Sequence, residues 1–336
     1  MNKGEAVPAN YYATLQVHPR ADIEVIESAY HALMAKHRFT PRAQAITEAY
    51  QVLSNQFARK DYDTAASRIE GTVIGDFRVL KPIAEGAFGT TYLGEHVRNH
   101  EPVCIKQCSR ISPESEAILV NESKAMWDLR HFAIPVIRNL IPLDDGGWVL
   151  VMSYIPGPTL QQIIAKNGRM DPEHVAWIAQ RLLNGLYYMH VNGVINGDVK
   201  PSNIIIQPKD HTVVMIDFGL AMIKPRPDEY PIGCTPVFAS PEQVKRKTLL
   251  PESDLYSLGM TMIYALSGDL EKTRNQEVPN DVPEPLCEFI AELVQPEPLD
   301  RPRVWQNDNL CDRIETVRQA AFGRTNSGMK PLDIKV

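Results

Sequence analysis

The sequence predicts an α+β protein with a small all-α module first, then a β-rich small lobe, then a helical large lobe. Three observations predict it. Helical stripes fill the first 66 residues, short β-branched runs around turns begin at Phe77, and helical segments dominate from Thr159. Across 336 residues, 44% are hydrophobic and 23% charged, a globular composition that excludes disorder along most of the chain, collagen and coiled coil. The most apolar run, Leu255 to Leu266, falls short of the roughly 18 residues a membrane span needs. The opening MNKGEAVPANYY lacks the apolar region of a signal peptide, so a cytoplasmic location is expected. Five cysteines, an odd number without a C-x-x-C pair, argue against a disulfide framework or structural zinc. The net charge is −6, and residues 1–70 balance eight basic against eight acidic side chains, so the acidity belongs to residues 71–336. Nothing in that balance suggests a nucleic-acid partner.

In the first segment, Ile26, Tyr30 and Leu33 recur at i, i+4, i+7, and after Pro41 the residues Ile46, Ala49, Val52 and Leu53 form a second stripe. Two such helices joined by a turn form an antiparallel hairpin. The stretches NYYATLQVHPRADIEVIESAYHAL and ITEAYQVLSNQFARKDYD resemble the J-domain of DnaJ-type co-chaperones over residues 9–64. The family's His-Pro-Asp tripeptide, which stimulates a heat-shock ATPase, is here His37-Arg38-Phe39 in a shortened loop. Residues 1–66 are therefore read as a docking or packing module that keeps the scaffold without that chemistry. Residues 67–76 read as a linker, small and Gly-containing. The runs FRVLKPI, TTYLGEHV and PVCIKQC then predict an antiparallel meander, followed by a helix around Glu114–Arg130 and strands in VIRNLIPL and GWVLVMSY. This second domain is expected over residues 77–312, with residues 313–336 as a flexible C-terminal tail.

Five features follow in a fixed order. Ala84-Glu85-Gly86-Ala87-Phe88-Gly89 is a turn between strands whose small residues let backbone N–H groups approach phosphate oxygens. Lys106, in Val103-Cys104-Ile105-Lys106, has an apolar flank and needs a carboxylate partner, for which Glu122 on the next helix is the candidate. Asp198, Lys200 and Asn203 in NGDVKPSN place a carboxylate, an ammonium and an amide in one tight loop before the strand Ile204-Ile205-Ile206. That set can accept a hydroxyl proton, neutralise a migrating phosphoryl group and ligate a metal. Asp217, in VVMIDFG, comes at the end of a strand, and magnesium favours oxygen ligands such as Asp217 and Asn203 together with phosphate oxygens. Ala239-Ser240-Pro241-Glu242 comes last, with Asp254 and Arg301 after it.

Together these motifs resemble the eukaryotic-type protein kinase catalytic domain from about Phe77 to Leu310. The resemblance implies a bilobal fold and a serine/threonine-specific transferase using ATP with Mg²⁺, or Mn²⁺ in its place. It implies Asp198 as catalytic base, Lys200 on the γ-phosphate, and Lys106 with Glu122 on the α- and β-phosphates. Asn203 and Asp217 would hold the metal, and Ala84, Gly86 and Gly89 would form the phosphate loop. Cys104, gatekeeper Met152, hinge residue Tyr154 and Ile205 would surround the adenine. Glu242 with Arg301 would make a structural ion pair, Asp254 would brace the catalytic loop, and Lys200 with Thr235 fits the serine/threonine-directed pattern.

The sequence departs from the family in several places. Ala84 replaces the first glycine of the phosphate loop, Thr91 a valine, and Cys104 an alanine. Asn196-Gly197 stands where the family has His-Arg. That arginine receives an activation-loop phosphate, so its absence predicts a loop that is preset without phosphorylation. Between Asp217 and Glu242 the only side-chain hydroxyls are on Tyr230, Thr235 and Ser240, and Pro225, Pro227 and Pro231 restrict the loop further. The polar Asn196 is expected to weaken an apolar column behind the site. Two alternatives follow from these departures, a nucleotide-binding pseudokinase scaffold acting through residues 1–66 and a small-molecule phosphotransferase with an H-G-D-like loop at Gly197-Asp198. The intact D-F-G and Ser-Pro-Glu segments argue against the second.

Overall fold

The computed structural model describes residues 11–18, 21–38, 40, 42–66, 69–86, 89–108, 113–143, 147–207, 212–303 and 309–323. The chain divides into two compact units, Met1–Ala117 with Ile141–Val149, and Ile118–Leu140 with Leu150–Val336. No helix of the described residues is long and apolar enough to cross a membrane.

The first unit opens with four helices, α1 (Tyr11–Leu15), α2 (Ile23–His37), α3 (Arg42–Leu53) and α4 (Gln56–Ala66). The expected stripes face one core, in which Ile26 and Leu33 of α2 meet Ile46, Ala49 and Leu53 of α3, with Tyr12 and Leu15 of α1 completing it. The stripes predict two helices and the described residues form four, for physical reasons. Five residues of α1 are too few to display a period, and Asn55 interrupts the second stripe by accepting the Phe57 and Ala58 N–H groups at 3.0 and 3.1 Å, which starts α4 afresh. Helix α4 is tied back by polar contacts, since the Tyr12 hydroxyl donates to Asp63 at 2.7 Å and Arg59 Nε donates to that hydroxyl at 2.9 Å. The third residue of the altered tripeptide, Phe39, lies outside the described residues.

The expected meander follows as β1 (Val73–Ile74), β2 (Phe77–Gly86), β3 (Gly89–His96) and β4 (Pro102–Cys108), neighbours in that order and all antiparallel. The linker expected over 67–76 is corrected in part, because Val73 and Ile74 pair with Arg78 and Phe77 around Gly75, and Ile69 is buried. A two-residue strand is too short to show alternation. Helix α5 (Pro113–Met126) ends four residues before the expected Arg130, and β5 (Ile137–Pro142) and β6 (Trp148–Ser153) match the two apolar runs.

The second unit carries α6 (Leu160–Asn167) and α7 (Pro172–Val191), then the short strands β7 (Val194–Ile195), β8 (Ile204–Gln207), β9 (Thr212–Met215) and β10 (Met222–Ile223). It ends in α8 (Pro241–Val244), α9 (Pro251–Ser267), α10 (Leu270–Arg274), α11 (Glu284–Leu293) and α12 (Leu310–Phe322). Thr159 and Gln162 make a reciprocal capping box on α6, and the Asp171 side chain caps α7. The core gathers Trp177, Leu182 and Leu186 of α7, Leu258 and Ile263 of α9, and Phe289 of α11. A hairpin and a two-stranded ladder lie on this core, with Ile204 opposite Met215 in the β8/β9 hairpin and Ile195 opposite Met222 where β10 pairs with β7. They carry the loops that matter for chemistry.

The tail expected from residue 313 is corrected for its first ten residues. Asn309 caps α12 through the Cys311 N–H at 3.1 Å, Leu310 and Ile314 are fully buried, and buried Arg318 donates to Gln180 of α7 at 2.8 Å. A charged surface on DRIETVRQ hides the thin apolar stripe from a sequence reading. Ile314→Ala is therefore expected to destabilise the fold by about 2–5 kcal/mol in urea unfolding; a tail would give no change.

Candidate active site

One buried carboxylate organises the second unit. Asp254 lies in the first turn of α9, where the helix N-terminus favours negative charge, and it is fully buried. Its Oδ2 accepts the Asn196 N–H at 2.8 Å and faces His190 Nε2 at 2.8 Å, while Oδ1 accepts the Gly197 N–H at 2.8 Å. Strand β7 delivers the chain to this carboxylate, which turns it into the loop carrying Asp198. The turn needs Gly197, whose φ is +70° and where a Cβ would lie 2.9 Å from the Leu220 carbonyl oxygen.

Asn196 is buried, and both ends of its amide are bonded. Oδ1 accepts the Asp198 N–H at 3.0 Å, and Nδ2 donates to the Asp217 carbonyl at 3.1 Å. The polar residue expected to weaken an apolar column thus links the loop bearing one acid to the strand end bearing the other.

Asp198 is itself buried and bonded on both oxygens. Lys200 Nζ lies 2.7 Å from Oδ2, Asn203 Nδ2 donates to Oδ2 at 2.9 Å, and the Thr235 hydroxyl donates to Oδ1 at 2.7 Å. Lys200 Nζ also reaches the Thr235 oxygen at 2.9 Å, which closes a triangle of carboxylate, ammonium and hydroxyl. Asp217 follows β9, and its Oδ1 accepts the Gly219 N–H at 3.0 Å. Phe218 is fully buried, and its N–H points to Glu122 Oε1 at 3.4 Å. Asn121 holds the chain just beyond, donating to the carbonyls of Gly219 and Ala221 at 3.3 and 2.8 Å.

Asp198, Asn203 and Asp217 offer hard oxygen donors, a set that suits Mg²⁺. The Asn203 amide nitrogen is turned to Asp198, which leaves its oxygen facing away from that carboxylate. Among the described residues no three His, Cys, Asp or Glu side chains could hold a metal by themselves. Such a donor set requires further oxygens, which phosphate and water supply.

Comparison with known proteins agrees with this geometry. The protein kinase domain family model matches residues 77–308, more than half of the chain. The chain belongs to the protein kinase domain family. It is 25% identical over 274 residues to a mouse protein, hormonally up-regulated neu tumor-associated kinase, covering 72% of this chain and 38% of that one. It is 26% identical over 247 residues to a probable serine/threonine-protein kinase of Dictyostelium discoideum, covering 68% and 49%. With the Drosophila melanogaster serine/threonine-protein kinase PAK mbt it shares 31% identity over 189 residues, 56% of this chain and 29% of that one. The chain thus spans less than half the length of each of these relatives.

Within the kinase domain, the other expected residues fall on the strands. Ala84 is exposed on β2 opposite Thr91, and Gly86 pairs with Gly89. Gly89 has φ +148° and approaches the Gln107 carbonyl so closely that a Cβ would lie 1.9 Å from its oxygen. Ala87 and Phe88 lie outside the described residues. Cys104 and Lys106 are half-buried on β4, opposite Leu93 and Thr91. Met152 is buried on β6, Tyr154 is half-buried just after it, and Ile205 is half-buried on β8 opposite Val214.

The ion pair expected of Glu242 and Arg301 is bidentate at 2.7 and 2.9 Å, and Ser253 Oγ adds a third bond to Glu242 at 2.6 Å. Two organising residues left little trace in the sequence. His190 looks like any helix-end residue until α7 brings it to Asp254. Gln243, beside the recognised Glu242, donates to the carbonyls of Gly197 and Gly233 at 2.8 and 3.0 Å and so clamps the segment after Asp217 to the catalytic loop.

Two measurements follow from these contacts. Restoring the family's arginine, Gly197→Arg, is expected to destabilise the domain by roughly 1–3 kcal/mol, because a side chain is strained at this φ and its Cβ would press on the Leu220 carbonyl oxygen; a gain in melting temperature would contradict this. Burial pushes the Glu242 carboxyl up, while hydrogen bonds from Arg301, Ser253 and the backbone outweigh it and hold the carboxyl below its ordinary value. A lowered folded pKa contributes stability that is present above the ordinary glutamate value of about 4.3 and is lost as pH falls through the lower folded value. Glu242→Gln is therefore expected to flatten the acid limb of stability against pH, measured by denaturant unfolding.

Proposed function

We propose that the chain is an active serine/threonine protein kinase, transferring the γ-phosphoryl of ATP to hydroxyls of protein substrates. The observation that carries this reading is the Thr235 hydroxyl donating to Asp198 Oδ1 at 2.7 Å beside the Lys200 ammonium, an arrangement that resembles a hydroxyl donor on a carboxylate whose charge is balanced. A serine or threonine hydroxyl presented in the same way would pass its proton to Asp198 as its oxygen bonds to the γ-phosphorus. The bond from that phosphorus to the bridging oxygen breaks, and ADP leaves. Lys200 neutralises charge on the transferred group, so the protein contributes position and electrostatics.

By resemblance, Lys106 with Glu122 would hold the α- and β-phosphates, and backbone amides at Ala84, Gly86 and Gly89 would cover them. Cys104, Met152, Tyr154 and Ile205 would contact adenine. Mg²⁺, when bound by Asn203 and Asp217, supplies charge neutralisation on the phosphates. The segment after Asp217 is held by Gln243 and by the Thr235 triangle, which supports a kinase that needs no loop phosphate. The helical module of residues 1–66, J-like in sequence and altered at the tripeptide, would serve as a docking appendage, and the chain would act in the cytoplasm.

The purified chain incubated with labelled ATP, Mg²⁺ and a generic basic protein is expected to transfer phosphate, and Asp198→Asn to lower the rate by about 10²-fold or more. Nucleotide binding without transfer in the unaltered chain would favour the scaffold reading. Tyr230→Phe is expected to leave the rate unchanged.

A further inference from the structure

The second unit carries a cleft of about 820 Å³ that the transfer chemistry does not use. Exposed Leu250 and Tyr230, with Pro251, give it an accessible apolar lining over buried Ile195 and Leu249, and Lys224 and Lys247 line it as well. Its size and its mixture of apolar walls with a few charges are those of a ligand site.

Charge gives the second observation. Neither Lys224 nor Lys247 has an ion-pair partner among the described residues, and Arg226, Lys245 and Arg246 adjoin them in sequence. Five cations thus cluster within 24 positions of a chain whose net charge is −6. The acids in this stretch offset them only in part, since Asp228 and Glu229 against five cations leave +3. Glu242 is taken by Arg301, the Glu229 carboxylate accepts the Arg226 N–H at 3.2 Å, and Asp228 is exposed beside it.

The cleft is also held open by its own backbone. The Thr248 hydroxyl donates to the Pro227 carbonyl at 2.8 Å, the Lys224 N–H to the Gly193 carbonyl at 2.6 Å, and the Lys247 N–H to the Glu242 backbone carbonyl at 2.8 Å. Lys224 and Arg246 are kept in left-handed conformations, with φ of +45° and +52°, which non-glycine residues hold only when their surroundings impose them. A preformed wall spares a ligand the entropy of ordering it.

We propose that this cleft is a docking site for an acidic linear segment of a partner protein, with an aliphatic side chain against Leu250, Pro251 and the Tyr230 ring and flanking carboxylates on Lys224 and Lys247. The buried layer beneath this lining adjoins the catalytic loop, since Ile195 precedes Asn196 and Leu249 reaches within 3.1 Å of where a Gly197 Cβ would be. A docked segment would therefore press on the same loop that Asp254 holds.

The test titrates a fluorescein-labelled peptide, leucines alternating with pairs of glutamates, into the full chain and follows anisotropy. Saturable binding is expected, weakened by added salt and reduced about tenfold or more by the double change Lys224→Glu with Lys247→Glu. A peptide with serine for leucine should bind more weakly, and one with lysine for glutamate should not bind. Lys224→Gln with Lys247→Gln, checked by thermal melting, replaces the reversal variant should that one fail to fold. Absence of saturable binding, equal binding by a folded lysine variant, binding of the lysine peptide, or displacement by inorganic phosphate at constant ionic strength would each overturn the proposal. The Asp198→Asn chain should bind the peptide as the unaltered chain does, which separates this outcome from that of the transferase reading.

Discussion

The candidate site depends on the Asp254 carboxylate. A buried charge is tolerated only when its lone pairs are filled, and here two backbone N–H groups and an imidazole fill them. Hydrogen bonds to a charged group are worth about 1.5–3 kcal/mol each, so the peptide geometry at Asn196 and Gly197 is strongly fixed. From that fixed point Asp198 is aimed by Asn196, Lys200 follows two residues on, and Asn203 closes back onto Asp198. The charge of Asp254 therefore works through backbone placement and touches none of the reacting groups.

The same constraint accounts for the departures in the catalytic loop. A turn whose second residue sits at φ +70° against a carbonyl oxygen favours glycine, and the arginine that would answer a loop phosphate is absent. Ordering is supplied from elsewhere, by the Gln243 amide between Gly197 and Gly233 and by the Thr235 hydroxyl between Asp198 and Lys200. Asn196 takes a comparable part between the two acids. These contacts are buried or half-buried and built into the fold, whereas a phosphate would be added and removed.

Much of this was legible in the sequence because the chemistry imposes spacing. Asp198, Lys200 and Asn203 lie within one loop, Asp217 follows a strand of fixed length, and the pair of Glu242 with Arg301 announced itself by motif. The meander was legible because β2, β3 and β4 are long enough to alternate. What escaped was set by tertiary context. Strand β1 has two residues and α1 five, so neither shows a period, and α12 hides Leu310 and Ile314 among charged neighbours. His190 and Gln243 act through contacts 64 and 46 residues away, which no local pattern encodes. Asn196 read as a defect because its hydrogen-bond partners, the Asp198 N–H and the Asp217 carbonyl, are backbone groups.

Under the proposed function, this loop is competent as folded, with no phosphate added. The direct measurement is transfer of labelled phosphate from ATP with Mg²⁺ by the chain after exhaustive phosphatase treatment, compared with the untreated chain. Equal rates, with intact mass confirming that no phosphate remains on residues 217–242, are the predicted result. A rate that falls with dephosphorylation and returns when Tyr230 is phosphorylated again, or no transfer from either preparation, would contradict a loop competent as folded.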